Sequence, residues 1–186
     1  MLRSTIRTAR AALVLTAVLM LVLPGCGKKK EEARRDARTA PNVTIQNYSM
    51  APDVELKALD GTVDRLTSFR GKIVILCFLN TVDAECKEQV ATLNKLAGLQ
   101  TKQFALLAVF KDPGEKGAVE KFVKNNPVNF PVYYNGQEVA GPFGGVRVVP
   151  TTYFILRNGS IYRKDIGVRS LKRLNDRVRE MRGQRL

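Results

Sequence analysis

Two uninterrupted apolar segments constrain the fold of this chain more than any other feature of its sequence. Residues 72–79 read KIVILCFL and residues 104–110 read FALLAVF. A strand that is covered on both faces shows such a continuous pattern, because neither of its faces meets water. Residues 84–99, which lie between the two segments, carry apolar side chains at helical spacing, as in a helix that connects parallel strands. The sequence therefore predicts a buried, parallel-led sheet.

The flanking segments predict the remainder of one α/β domain. Apolar spacing and the turn pairs Asp60-Gly61 and Asn158-Gly159 predict hairpins at 54–66 and 151–166, an extended segment at 130–134, and helices at 115–126 and 170–181. We expect residues 51–186 to form a mixed central sheet that is flanked by helices and extended by an N-terminal β-hairpin.

The N-terminal segment has the features of an export signal. Three arginines precede an apolar run at 11–23 that is too short to span a bilayer comfortably. Residues 23–26 then read LPGC, which resembles a bacterial lipobox. We predict that residues 1–25 are a lipoprotein signal peptide and that acylated Cys26 binds the lipid bilayer. A plain secretory signal with an incidental cysteine is the alternative.

Residues 26–50 are predicted to be a charged tether. Their first half has almost no large apolar group and cannot bury a core. An exported and lipidated chain is expected on the extracytoplasmic side of the cell envelope. Gly27 is not the aspartate that retains lipoproteins at the inner membrane, so sorting to the outer membrane is permitted if the source is Gram-negative.

The chain is strongly basic, with 31 lysines and arginines against 17 aspartates and glutamates. Such a balance attracts nucleic acids or anionic membranes. Export and the lack of a recognition motif exclude nucleic acid as a partner. The helix predicted at 170–181 carries a basic outer face, which indicates either a contact with anionic membrane or a merely solvated surface.

Histidine is absent and cysteine occurs three times. This composition excludes metal sites that use histidine and every nucleophile pair that needs it. We expect neither a metal nor a cofactor. Cys77 lies inside the first apolar segment, where a free cysteine is expected to be an inert core residue.

Three motifs carry a family resemblance. Residues 51–53 read APD, residues 66–72 read LTSFRGK, and residues 145–155 read GVRVVPTTYFI. In this order they resemble the thioredoxin-like redoxins of the TlpA and ResA type, which are related to the AhpC/TSA proteins and act as membrane-anchored extracytoplasmic thiol-disulfide proteins. The resemblance implies a thioredoxin-like fold, with a cis peptide bond between Val149 and Pro150 that faces the redox motif and borders the substrate groove.

The redox motif itself is altered. Residues 76–90 read LCFLNTVDAECKEQV, where relatives read like LNFWATWCPPCRAEM. The resemblance places Asp83 at the first, nucleophilic cysteine of CxxC and Cys86 at the second. The first thiolate normally attacks a substrate disulfide, and the second thiol resolves the mixed disulfide. A standard two-cysteine cycle is therefore excluded unless another cysteine takes part.

Asp83 and Cys86 lie at the start of the helix that follows the first core strand. The carboxylate of Asp83 is predicted to cap this helix by accepting the N–H of Cys86. The helix dipole and Lys87 lower the pKa of the Cys86 thiol, whereas burial and the nearby carboxylates raise it, so the direction stays open.

Two functions of different classes follow from these residues. The first is a degenerate redoxin that holds an extracytoplasmic protein client at Val149-Pro150 by backbone pairing, without redox turnover. The second is a residual one-Cys oxidoreductase or peroxidase-like antioxidant. In that case Cys86 would form a mixed disulfide or sulfenic acid that an outside thiol partner rescues.

Overall fold

The computed structural model describes residues 49–99, 104–112 and 116–184. The predicted signal peptide, the lipidation site Cys26 and nearly all of the predicted tether lie outside these residues, so those assignments stay predictions. Within the described ranges, none of the helices is both long and apolar enough to cross a bilayer.

The elements follow the predicted order with small differences in their bounds. The strands are β1 (Glu55–Lys57), β2 (Val63–Arg65), β3 (Ile73–Leu79), β4 (Phe104–Phe110), β5 (Val132–Tyr133), β6 (Thr151–Ile155) and β7 (Ile161–Ile166). The helices are a short 3-10 helix (Leu66–Phe69), α1 (Ala84–Gly98), α2 (Lys116–Asn125), α3 (Gly136–Ala140) and α4 (Leu171–Arg182).

The main sheet has five strands in the order β5-β4-β3-β6-β7. Strands β3, β4 and β5 run parallel, β6 is antiparallel to β3, and β7 is antiparallel to β6. The register from Ile73 opposite Phe104 to Leu79 opposite Phe110 pairs the two continuous apolar segments along their whole length. Strands β1 and β2 form a separate hairpin. The predicted mixed sheet with its hairpin extension is thereby confirmed.

Both faces of β3 are covered, as its continuous apolar sequence predicts. Cys77 belongs to one core, to which the helices contribute Leu93, Phe122 and Leu174. Phe78, the next residue along β3, belongs to a second core that includes residues of the N-terminal hairpin and of α3. Because apolar burial is the main favourable contribution to folding, these two cores hold the end of β3 in a fixed position.

The short elements are less apparent from the sequence. The extended segment expected at 130–134 contains only the two residues of β5 that pair with β4. It is followed by α3, whose five residues do not complete the repeat by which an amphipathic helix is recognised.

Candidate functional site

The site begins where β3 ends and α1 begins. Strand β3 stops at Leu79, and Asp83 is the N-cap residue of α1, with an extended backbone conformation. Asp83 therefore lies at the helix N-terminus, where the unpaired N–H groups and the helix dipole are oriented toward solvent.

The predicted capping contact of Asp83 is wrong. Its side chain accepts no hydrogen bond from the helix N-terminus. Instead, the Asp83 carboxylate accepts the Nδ2–H of Asn80 at 2.6 Å, and the Asn80 Oδ1 accepts the N–H of Asp83 at 2.9 Å. This reciprocal pair closes the loop between β3 and α1, and it engages the carboxylate that was expected to cap Cys86.

Asp112 fixes the same loop from a neighbouring strand. It follows the end of β4 and is 8% exposed. Its Oδ1 accepts the Thr81 N–H at 3.0 Å and the Thr81 hydroxyl at 2.6 Å. Because the carboxyl ends of parallel β3 and β4 adjoin, the strand order brings Asp112 to the loop. Asp112 was not identified from the sequence, although its position just after a predicted parallel strand indicated that it would lie near the end of β3.

Cys86 lies beneath the loop and has no exposed surface. Its Sγ accepts the N–H of Asn80 at 3.4 Å. Burial raises the pKa of the Cys86 thiol to about 11, the Asn80 N–H lowers it, and the charge of Asp83 adds to the rise. The direction of the pKa shift of Cys86, which the sequence left open, is therefore a rise. The Cys86 thiol is protonated near neutral pH.

Cys77 is a second buried thiol in the same core. Its Sγ accepts the hydroxyl hydrogen of Thr152 at 3.4 Å, and burial raises the pKa of the Cys77 thiol to about 12. Both cysteines are free. Cys77 therefore occupies the core position that was predicted for it.

An open groove of about 370 Å³ lies beside Asp83. The peptide bond between Val149 and Pro150 is cis, as the resemblance implies. The groove is lined by Asn80, Asp83, Lys111, Arg147, Val148 and Val149, and we refer to it below as the Asp83 groove. It brings together the altered motif and the segment before Pro150, which are far apart in the sequence.

The Asp83 groove combines charge with apolar surface. Lys111 donates from its Nζ to the carbonyl of Val146 at 2.6 Å, so its ammonium is held at the groove. The lining residue Val148 is 52% exposed, and Val82, which directly precedes Asp83, is 75% exposed. Lys111 was not identified from the sequence, because no local pattern distinguishes it from other surface cations.

No group of three or more Cys, Asp or Glu residues in the described part of the chain could hold a metal ion. The groups that this site offers are one protonated thiol, one exposed carboxylate and two cations. This arrangement provides contacts for a bound chain, but the Asp83 groove presents no exposed thiol.

Comparison with known proteins agrees with this fold. A solved DsbF homologue from Corynebacterium diphtheriae superposes with a TM-score of 0.67 at 19% identity, covering 76% of this chain and 93% of that one. The thiol-disulfide oxidoreductase ResA of Geobacillus thermodenitrificans is 32% identical over 146 residues, which are 78% of this chain and 82% of that protein. The thioredoxin-like protein YneN of Bacillus subtilis is 28% identical over 138 residues, or 73% and 81% of the two chains.

The fold and these relatives define a thioredoxin-fold domain of the kind found in thiol-disulfide oxidoreductases. The model of the AhpC/TSA family matches residues 48–164. The chain belongs to that family.

Proposed function

We propose that this protein is a cell-envelope thioredoxin-fold module that binds an extended segment of a client protein in the Asp83 groove without a two-cysteine redox cycle. The observation that carries this proposal is a carboxylate at the tip of α1, above a Cys86 thiol with no exposed surface. A thiol of this kind is a poor nucleophile, because the thiolate is the reactive species and burial disfavours it.

The segment before Pro150 supports binding through the main chain. In the described residues, the main-chain groups of Val149 form no hydrogen bond with another backbone group. The side chain of the preceding Val148 is half exposed. An extended peptide could therefore pair with Val149 and contact the apolar side chains of Val148 and Val82, which is how strand addition gives affinity and selectivity.

The location in the cell envelope is part of the proposal. The basic and apolar N-terminal segment and the LPGC sequence at 23–26 support export and acylation of Cys26. In that arrangement the lipid holds the domain on the membrane, and the client is an extracytoplasmic protein.

A photo-crosslinking experiment tests client binding. The photoreactive amino acid p-benzoylphenylalanine would replace Val148 in the full chain, expressed in cells of the source organism. Val63, on the N-terminal hairpin, is the matched control because its exposure of 56% is close to the 52% of Val148. We expect protein adducts from residue 148 and none from residue 63, and the adducts should persist when Cys86→Ala is added. Equal capture at both positions, or loss of every adduct with Cys86→Ala, would contradict the proposal.

Alkylation of the native full chain separates this function from one-Cys chemistry. With Cys26→Ser, only Cys77 and Cys86 remain as thiols. A pKa near 11 instead of 9.0 lowers the thiolate fraction of Cys86 near neutral pH about 100-fold, and burial slows access further. We expect iodoacetamide to leave the folded protein unmodified while a free cysteine reacts fully, and to modify both thiols in denaturant. Rapid alkylation of the folded protein that Cys86→Ser abolishes would instead support the one-Cys oxidoreductase or peroxidase.

A further inference from the structure

Cations gather at the end of the main sheet that lies opposite the Asp83 groove. Strand β3 starts there, directly after Lys72. The N–H of Gly71 donates to the carbonyl of Arg157 at 2.9 Å, and Arg70 donates from its Nη1 to the carbonyl of Asn158 at 3.1 Å. The segment before β3 and the turn between β6 and β7 therefore form one surface, which we call the basal end.

Helices α1, α2 and α4 all end at the basal end, since Asn94 near the end of α1 donates to the carbonyl of Pro127 just after α2. Helix α1 starts at the groove and has Lys95 in its last turn, and α4 has Arg179 in its last turn. The Tyr162 hydroxyl lies 3.5 Å from the Glu180 carboxylate, which places the last turn of α4 beside the start of β7. Lys95 and Arg179 are exposed, so their charges add to those of the loops.

The acidic groups near this surface are already paired. The carboxylate of Glu180 lies 2.6 Å from Arg177, and that of Asp53 lies 2.6 Å from Arg65. The cations of the basal end include Arg70, Lys72, Lys95, Lys124, Arg157 and Arg179. The basal end therefore has a positive potential that the local carboxylates do not cancel.

Exposed apolar side chains accompany these cations. Met50 is 51% exposed and Leu99, at the end of α1, is 55% exposed. Cations attract anionic headgroups, and apolar side chains among them gain by entering the boundary between headgroups and acyl chains. This combination suits a phospholipid surface better than it suits a free anion.

The remainder of the chain joins the domain at the same end. The N–H of Ile161 donates to the carbonyl of Ser49 at 2.8 Å, and Met50 forms an isolated bridge with Ser160. The first described residues, Ser49 and Met50, therefore lie at the basal end. An attachment before residue 49 would reach the domain at this surface and not at the groove.

We infer that the basal end docks on an anionic phospholipid surface and holds the Asp83 groove directed away from the membrane. The inference rests on the charge, the exposed apolar groups and the chain entry at this end. It holds whether or not Cys26 is acylated, and it is independent of client binding.

The test is a fluorescence measurement on the full chain reconstituted into vesicles. A polarity-sensitive fluorescent amino acid would replace Leu99 at the basal end or, as the matched control, Val82 at the groove. In vesicles that contain phosphatidylglycerol, we expect a blue shift of the emission from residue 99 and none from residue 82. Vesicles of phosphatidylcholine alone should give no shift at either residue. A shift at residue 82, or an equal shift at residue 99 in both kinds of vesicle, would overturn the inference.

Charge reversal identifies the surface. The triple variant Lys72→Glu, Lys95→Glu and Arg179→Glu should abolish the shift at residue 99. A control with the same change of net charge, Lys87→Glu, Lys172→Glu and Arg173→Glu, replaces exposed cations in the first turns of α1 and α4, at the opposite end of the sheet, and should keep the shift. Loss of the shift in both variants would show that only net charge matters and would contradict docking by the basal end.

Discussion

Replacement of Asp83 by cysteine is expected to produce a thiol-disulfide reductase. The new thiol would lie at the N-terminus of α1, where the helix dipole lowers the pKa of a cysteine. Cys86, three residues later, would then act as the resolving thiol. We expect Asp83→Cys to accelerate the reduction of insulin by dithiothreitol at least ~10-fold over the uncatalysed reaction, whereas the unmodified protein stays at background.

Two further variants make this expectation specific. Asp83→Ser also removes the carboxylate but supplies no sulfur, so its activity should equal background. Asp83→Cys combined with Cys86→Ser retains the nucleophile without the resolving thiol and should accumulate mixed disulfides, detectable by mass spectrometry. If Asp83→Cys folds normally by circular dichroism and reduces insulin no faster than Asp83→Ser, residue 83 does not occupy the position of the nucleophile.

Replacement of Gly136 by alanine should cause the largest loss of stability among simple glycine substitutions. A Cβ atom at this position would lie 2.6 Å from the carbonyl carbon of Phe110 and 2.8 Å from the Cα of Lys111. Both are backbone atoms at the end of β4 and cannot move as the tip of a side chain can. We expect Gly136→Ala to lower the free energy of unfolding by about 3 kcal/mol, measured by urea denaturation.

Gly117 in α2 provides the matched control. A Cβ atom at Gly117 meets nothing within 4 Å. Alanine restricts the unfolded chain more than glycine does and favours the helix, so Gly117→Ala should raise the free energy of unfolding by roughly 0.5 kcal/mol. If the two substitutions change the free energy of unfolding equally, the loss in Gly136→Ala does not come from the close approach of α3 to β4.

The sequence predicts the fold well where its patterns are long. The apolar segments at 72–79 and 104–110 contain the paired strands β3 and β4, because burial on both faces leaves a continuous apolar pattern. The five-residue helix α3 lacks such a pattern. Its first residue, Gly136, is a glycine because a Cβ atom there would collide with the backbone at the end of β4. Its position depends on a tertiary contact that the local sequence does not encode.

For the candidate site, the sequence predicts the position of Asp83 but not the contacts of its side chain. The resemblance places Asp83 at the start of the helix, and the structure has it as the N-cap residue. The direction of its carboxylate is different from the prediction because Asn80 competes for it within the same loop. The contribution of Lys111 to the groove follows only from three-dimensional proximity.

The reciprocal pair between Asn80 and Asp83 has a consequence for how the protein responds to its surroundings. A CxxC loop exists in two covalent forms, and ambient oxidants and reductants interconvert them. Here the corresponding loop is closed by hydrogen bonds that neither oxidant nor reductant breaks. If the groove binds a client as proposed, the shape of this loop is therefore not switched by the electrochemical potential of the compartment.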